Sequence, residues 1–83
     1  MGIRSQENKN LIQKEREIFA RNFKRARREA GLTQEDIIKR TGLTQPFISE
    51  IETGKSTVSM DNAHLLAKAV NQPLWKLLNP SEK

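Results

Sequence analysis

The sequence predicts an all-α fold, and three observations support that prediction. Apolar residues recur at helical spacing over residues 10–30. Residues 33–41 and 44–53 each begin with a threonine that can cap a helix, and each stretch is followed by a glycine, which commonly ends one. A further helix is predicted over residues 60–70, and one or two more helical turns after residue 73. The 83 residues are therefore expected to form one small domain of five helices.

The first predicted helix runs from Asn10, its expected N-cap, to Ala30. Its apolar positions fall on one helical stripe, formed by Ile12, Phe19, Phe23, Ala26 and Ala30. Residues 1–9 are polar and have no apolar period, so we expect a flexible N-terminal arm there. The helical domain is then expected over residues 10–79, with residues 80–83 as a C-terminal tail.

The second and third predicted helices meet at a tight turn. Thr33 can accept a backbone N–H as an N-cap, and Asp36 suits the positive end of the same helix. Gly42 follows this helix, where a residue without Cβ can adopt the left-handed conformation. Thr44 supplies the next N-cap and Gly54 ends the third helix. Two short helices joined in this way have the arrangement of a helix-turn-helix unit.

The two short helices must each bury one face in a common core. The residues expected in that core are Leu32, Ile37, Leu43, Ile48 and Ile51. A rotation of about 100° per residue places a polar set on the opposite arc of the third helix, namely Gln45, Pro46, Ser49, Glu50 and Thr53. Those side chains are free to contact a partner.

The residues from about Phe19 to Leu78 resemble a known family. GLTQEDI, followed after four residues by GLTQPFISEIETGK, is similar to the DNA-binding domains of phage-repressor and Cro type, the xenobiotic-response-element family. Ser59, Met60 and Asp61, with the apolar residues after them, resemble the start of the fourth helix of such a domain. The resemblance implies a five-helix, lambda-repressor-like DNA-binding domain, here with an extended first helix, and double-stranded DNA as the partner.

The same resemblance implies that Gln45 reads a base. A glutamine in the major groove can pair with N6 and N7 of adenine, which discriminates by about 1–3 kcal/mol. Glu50 matches another reading position, where it could accept from cytosine N4 or be a plain surface residue. Pro46 could contact a thymine methyl group, although a role in starting the helix is favoured. Phe47 is expected to pack at the domain edge or against sugar and methyl groups.

Other residues are expected to contact the DNA backbone, which positions a protein without specifying sequence. Gln34 begins the second helix, whose N-terminus favours a phosphate, and the resemblance implies that this glutamine also braces the reading helix. The remaining backbone candidates are short donors or a cation around the same surface, namely Thr44, Ser49, Lys55 and Ser56.

Arg27 and Glu52 match an arginine and a glutamate that pair between the first and third helices in the family. The resemblance therefore implies a structural ion pair. The reading helix departs from the family's common pattern because it contains no Lys or Arg. Readout would then rest on amide, carboxylate and methyl contacts rather than on an arginine paired with guanine.

The formal net charge of +5 is concentrated near the N-terminus. Residues 1–31 carry nine Lys/Arg against four Asp/Glu, whereas residues 32–83 carry six of each. Such an excess suggests a polyanion as partner, since cations near phosphates release counterions. Five cations of the first helix share one arc, which is either a solvated face or a phosphate-tracking one: Lys14, Arg21, Lys24, Arg25 and Arg28. Leu11 and Ile18 lie beside the main stripe and suit core-edge packing or a partner contact.

The composition offers little for catalysis. The chain has no cysteine and no tyrosine, and His64 is the single histidine, so we expect neither an enzyme nor a metal site nor a cofactor. No run of 18 apolar residues and no secretory apolar region occurs. A cytoplasmic protein without membrane contact is therefore expected.

Two functions fit these residues. The first is a sequence-specific transcriptional regulator, expected to be a repressor that binds a palindromic operator as a homodimer with reading helices about 34 Å apart. Its dimer contact is expected at Trp75 and Leu78, unless Trp75 folds back onto its own core. The alternative is an antitoxin-like interaction module that binds a partner protein and binds DNA only secondarily.

Overall fold

The computed structural model describes residues 2–80, and the side chains of residues 10–80. Its helices, in chain order, are α1 Gly2–Glu29, α2 Gln34–Thr41, α3 Gln45–Glu52, α4 Met60–Ala69 and α5 Leu74–Leu78. No strand occurs among the described residues. The predicted all-α fold of five helices is confirmed.

Helix α1 begins earlier than predicted. Its first residue is Gly2, so Asn10 is an interior residue of a 28-residue helix and not its N-cap. The backbone of residues 2–9 is helical, whereas the sequence led us to expect a flexible arm there. This segment has no proline, and Arg4, Glu7 and Lys9 belong to residue types with good helix propensity. Met1 and residues 81–83 lie outside the described residues.

The predicted boundaries of α2 are confirmed. The Thr33 hydroxyl accepts from the Asp36 N–H at 3.1 Å, and the Thr33 N–H donates to the Asp36 carboxylate at 2.9 Å. This reciprocal pair satisfies two donors at the start of the helix. The bond from the Thr33 N–H also holds the pKa of the Asp36 carboxyl below its ordinary value. At the other end Gly42 has a φ of 77°, and its N–H donates to the Ile38 carbonyl.

Helix α3 is also bounded as predicted. The Thr44 hydroxyl accepts from the Phe47 N–H at 3.3 Å, and Pro46 lies in the first turn. Gly54, with a φ of 75°, follows the last turn. Its N–H donates to the backbone carbonyl of Ile51, and the N–H of Lys55 donates to the backbone carbonyl of Glu50. This double closure reverses the chain tightly at the end of α3.

The core lies where α1 crosses α3 and α5, with α2 and α4 closing the other side. Phe19 and Phe23 stack at a centroid distance of 6.1 Å. Ile37, Ile48 and Ile51 are buried as predicted, and Leu32 and Leu43 are half-buried against them. The other buried apolar side chains come mainly from α1, α4 and α5: Ala20, Ala26, Ala63, Leu66, Ala67, Ala69, Val70 and Leu77.

Two positions of the predicted α1 stripe are exposed. Ile12 is 43% exposed at the edge of an apolar groove, and Ala30 is exposed because it follows the last turn. Leu11 is 59% exposed, so core-edge packing is wrong for that residue. Ile18 is half-buried and lies at the edge of the core.

The sequence analysis missed a buried polar anchor, Asn22. Its side-chain amide donates to the carbonyls of Leu77 and Asn79, both at 2.9 Å, and its oxygen accepts from Arg25 at 2.6 Å. Helix α5 has only five residues, so it leaves most of its C-terminal carbonyls without partners inside the helix. Asn22 supplies donors for two carbonyls at this end and fastens α5 to α1.

Replacing Asn22 with alanine should therefore destabilise the domain. The Asn22→Ala variant leaves two carbonyls at the end of α5 without their donor, and we expect a loss of about 1–3 kcal/mol in the free energy of unfolding. Urea denaturation followed by far-UV circular dichroism measures it. Asn10→Ala, at an exposed position of the same helix, is the control, and an equal effect of both changes would contradict the anchoring role.

Candidate nucleic-acid interface

Helix α3 has one buried and one exposed face. Ile48 and Ile51 are fully enclosed, whereas Gln45, Pro46 and Glu50 are exposed. Thr53, which caps the end of the helix, is exposed as well, and Ser49 is half-buried. The predicted polar arc therefore faces away from the core, which makes it accessible to a partner.

An ion pair fixes α3 against α1. The Arg27 Nε donates to Glu52 Oε2 at 2.6 Å and its Nη2 donates to Glu52 Oε1 at 3.1 Å, so the pair is bidentate. The remaining terminal nitrogen, Nη1, donates to the Leu32 carbonyl at 2.8 Å, in the connection between α1 and α2. The two side chains are 11% and 2% exposed. The pairing that the family resemblance implied is present.

Two glutamines continue this network to the exposed face of α3. Gln34 Nε2 donates to Glu52 Oε1 at 3.1 Å, and Gln45 Nε2 donates to Gln34 Oε1 at 3.1 Å. Gln34, at the start of α2, is thus bonded directly to two side chains of α3. An amide nitrogen has two hydrogens, so Gln45 keeps one N–H donor and its carbonyl oxygen. Those are the two groups that an adenine edge requires.

The first turn of α3 presents three residues with separate roles. The Thr44 oxygen accepts from the backbone as N-cap, which leaves its hydroxyl proton available to an outside acceptor. Pro46 lies where a missing N–H leaves no intrahelical bond unmade, in agreement with the favoured role in starting the helix. Phe47 is half-buried against the core, which supports packing at the domain edge.

The loop after α3 contains an interaction that the sequence did not indicate. The Ser56 hydroxyl donates to Glu50 Oε1 at 2.6 Å. The single proton of Ser56 is therefore engaged by a carboxylate, rather than free for a phosphate as expected. Neighbouring Lys55 is exposed, with its charge on the surface. No local pattern signals a bond between residues six positions apart across a glycine turn.

Four of the five cations predicted to share one arc of α1 lie around one depression, whereas Lys14 is exposed and does not line it. Arg21, Lys24, Arg25 and Arg28 border one shallow depression with Glu29. Two of these residues also bind within the chain, because Arg21 donates to the Pro80 carbonyl at 3.3 Å and Arg25 donates to Asn22. The surface thus combines structural bonds with exposed positive charge.

Helix α5 presents two exposed apolar side chains. Trp75 is 64% exposed, so the interpretation in which it folds back onto its own core is wrong. Leu78 is exposed one turn later and borders an apolar groove of about 460 Å³ together with Ile12 and Met60. This groove runs between the first half of α1 and the start of α4.

Two further observations concern other chemistry. Within residues 2–80 no helix is long and apolar enough to cross a membrane. Among the side chains of residues 10–80 there is no group of three or more His, Cys, Asp or Glu that could bind a metal ion.

Comparison with known proteins identifies this arrangement. The model of the helix-turn-helix family, of the Cro and C1 repressor type, matches residues 23–74, a range that contains Arg27, Glu52 and all of α2, α3 and α4. The chain belongs to this helix-turn-helix family. Its function is therefore that of a transcriptional regulator with a helix-turn-helix DNA-binding domain.

Individual relatives agree with the family. The chain is 34% identical over 68 residues to an uncharacterized HTH-type transcriptional regulator of Sinorhizobium fredii, covering 82% of this chain and 88% of that protein. It is 33% identical over 63 residues to the control protein C.SmaI of Serratia marcescens, covering 76% of this chain and 75% of that protein. Among solved structures it is similar to a hypothetical transcription factor, NHTF, from Neisseria, with a TM-score of 0.77 and 26% identity over 84% of this chain and 80% of that one. The predicted lambda-repressor-like helix-turn-helix fold is confirmed.

Removing one partner of the ion pair should destabilise the helix-turn-helix domain strongly. Arg27→Ala leaves the Glu52 carboxylate almost enclosed and without its counter-charge, for which we expect a loss of about 3–5 kcal/mol in the free energy of unfolding. Thermal and urea denaturation measure this change in the free energy of unfolding. Arg28→Ala, which removes an exposed arginine at the next position, should change stability little, and equal losses for the two variants would contradict the role of the pair.

Proposed function

We propose that this helix-turn-helix regulator is a sequence-specific repressor that binds a palindromic operator as a homodimer, with α3 in the major groove. The observation that carries the proposal is the fixed position of Gln45. Its amide is bonded to Gln34 and through it to the Arg27–Glu52 pair, while one N–H and the carbonyl oxygen stay free. A side chain oriented by such a bond, with a donor and an acceptor still exposed, suits bidentate pairing with adenine.

The surroundings of Gln45 suit the DNA backbone. Gln34 is the first residue of α2, where unpaired backbone N–H groups favour a phosphate, and the Thr44 hydroxyl has a proton to donate. Lys55 adds a positive charge beyond the end of α3. We propose that these residues and Ser49 hold phosphates on both sides of the groove and so place Gln45 over its base.

Sequence choice by α3 then depends on few contacts. Pro46 presents only apolar atoms, which fit a thymine methyl group, and Glu50 presents a carboxylate, which accepts from cytosine N4. Neither side chain carries a positive charge, so neither adds affinity through attraction to phosphate. Affinity that is independent of sequence would come instead from the cationic surface of α1, namely Arg21, Lys24, Arg25 and Arg28.

Dimer formation is proposed through α5. Trp75 and Leu78 lie one turn apart and are both exposed, and large apolar side chains of this kind are efficient interface anchors. A two-fold dimer presents the same patch from each copy, which sets the two reading helices apart by a fixed distance. Occupation of a promoter by such a dimer represses transcription because it excludes other proteins from that DNA.

Replacing Gln45 with alanine tests the reading role. Gln45→Ala should lower preference at one base position of the selected site by about 1–3 kcal/mol and leave the salt dependence of binding unchanged, because no phosphate contact is lost. The measurement is selection from a random oligonucleotide pool, then titration of the selected site at several salt concentrations. Gln72→Ala, between α4 and α5, is the control.

Three results would count against the proposal. Wild-type protein that selects no sequence would contradict sequence-specific binding. An unchanged preference in Gln45→Ala would remove the assigned role of that side chain, and binding without a negative slope against log salt would exclude the phosphate contacts.

The dimer contact can be tested by fluorescence, because Trp75 is the single tryptophan of the chain. Dilution of a dimer should shift its emission to longer wavelength as the indole enters water, and Leu78→Asp should give the red-shifted spectrum at all concentrations. Sedimentation equilibrium checks the mass. Leu65→Asp, an exposed apolar position on α4, is the matched control. A wild-type monomer at all concentrations would contradict the dimer and favour the alternative, a module that binds a partner protein.

A further inference from the structure

The end of α3 brings a loop hydroxyl onto a reading side chain. Gly54 turns the chain back, and the Lys55 N–H donates to the Glu50 carbonyl at 2.9 Å. This closure places the next residue, Ser56, over the side chain of Glu50, where its hydroxyl donates to Oε1 at 2.6 Å. The short distance is that of a hydroxyl bonded to an ionised carboxylate. Backbone and side chain of Glu50 are thus both tied to the loop.

The charge of Glu50 excludes one role for this pair. A phosphate oxygen accepting from Ser56 would lie beside a carboxylate, and two negative groups at that distance repel each other. The proton of Ser56 would also have to leave Glu50, since a hydroxyl has one donor. A phosphate contact at Ser56 is therefore unfavourable, although the sequence suggested it.

A base amino group is not repelled by the carboxylate, and it does not compete for the Ser56 proton because it is itself a donor. The second oxygen of Glu50 accepts no hydrogen bond from residues 10–80, so it is available to a donor in the major groove. Adenine N6 and cytosine N4 are such donors, but adenine also presents the N7 acceptor beside its amino group, which repels a carboxylate. Cytosine has no acceptor at that edge. The chemistry of the pair thus favours cytosine.

We propose that Ser56 is a positioning residue for sequence choice, which holds Glu50 so that its free oxygen accepts from the amino group of a cytosine. This inference rests on the proposed function, because it requires α3 in the major groove. A glutamate on an exposed helix face has three rotatable side-chain bonds and loses that freedom when it contacts a base. The bond to Ser56 restricts it before DNA binds, which reduces the loss on binding and sharpens the choice of base.

The test compares variants of the full chain on the selected operator and on copies with the cytosine replaced. Ser56→Ala should weaken the preference for cytosine about three- to tenfold, the effect of one lost hydrogen bond. Preference at the Gln45 position and the salt slope should not change. Ser56→Thr should restore the preference because it keeps the hydroxyl, and Glu50→Gln should reduce it because an amide is a weaker acceptor than a carboxylate.

A neighbouring hydroxyl provides the matched control. Thr57 lies in the same loop, but its oxygen accepts from Arg16 of α1 at 2.6 Å rather than binding α3. Thr57→Val should leave the preference for cytosine as in the wild type. Thermal denaturation of each variant verifies that the comparison is made between folded proteins.

The possible failures are distinguishable. If Ser56→Ala keeps the full preference for cytosine, or weakens all sequences equally with a shallower salt slope, the inference is overturned while the proposed function stands. The inference is likewise overturned, and the proposed function stands, if the wild type selects a site but Glu50→Gln leaves its preference for cytosine unchanged. If the wild type selects no site at all, the proposed function fails and the positioning role fails with it.

Discussion

The Arg27–Glu52 ion pair is the interaction on which the rest of the domain depends. It joins the last turn of α1 to the last turn of α3, and its third bond holds the connection that leads into α2. Charges this enclosed are tolerable only when their hydrogen-bonding groups are satisfied, and no buried side-chain nitrogen or oxygen in the described part of the chain lacks a partner. Gln34 completes the shell around Glu52. One structural pair therefore sets the angle of α3 and the position of Gln45 together.

The excess of positive charge and the proposed base-reading side chains are located on different helices. The excess of positive charge lies within residues 1–31, which include the cationic surface of α1, whereas α3 carries no Lys or Arg. Long-range attraction falls with added salt, but hydrogen bonds to base edges depend on geometry. In the proposed complex the two contributions rest on separate side chains, and Lys55 is the nearest cation after α3 in the chain.

The sequence alone predicted those features of the fold that depend on residues within about one helical turn of each other. Thr33, Gly42 and Thr44 predicted the limits of α2 and α3 because caps and left-handed residues act within one turn. The Arg27–Glu52 pair came only from the family resemblance. The start of α1 was misplaced because no residue stops a helix between Gly2 and Asn10. Ile12 was placed in the core because helical periodicity alone does not show how much of a helix its neighbours cover. Asn22 and the Glu50–Ser56 bond were missed because their partners meet only after the chain has folded.

The two faces of α3 restrict the choice of side chain to different degrees. Ile48 and Ile51 are completely enclosed, and a change of even one methylene group is felt in such packing. Pro46 and Gln45 on the outer face contribute little to the apolar core. Evolution can therefore exchange outer residues one at a time while the scaffold persists. Gene duplicates of such a protein could acquire new outer-face contacts without first losing the ability to fold.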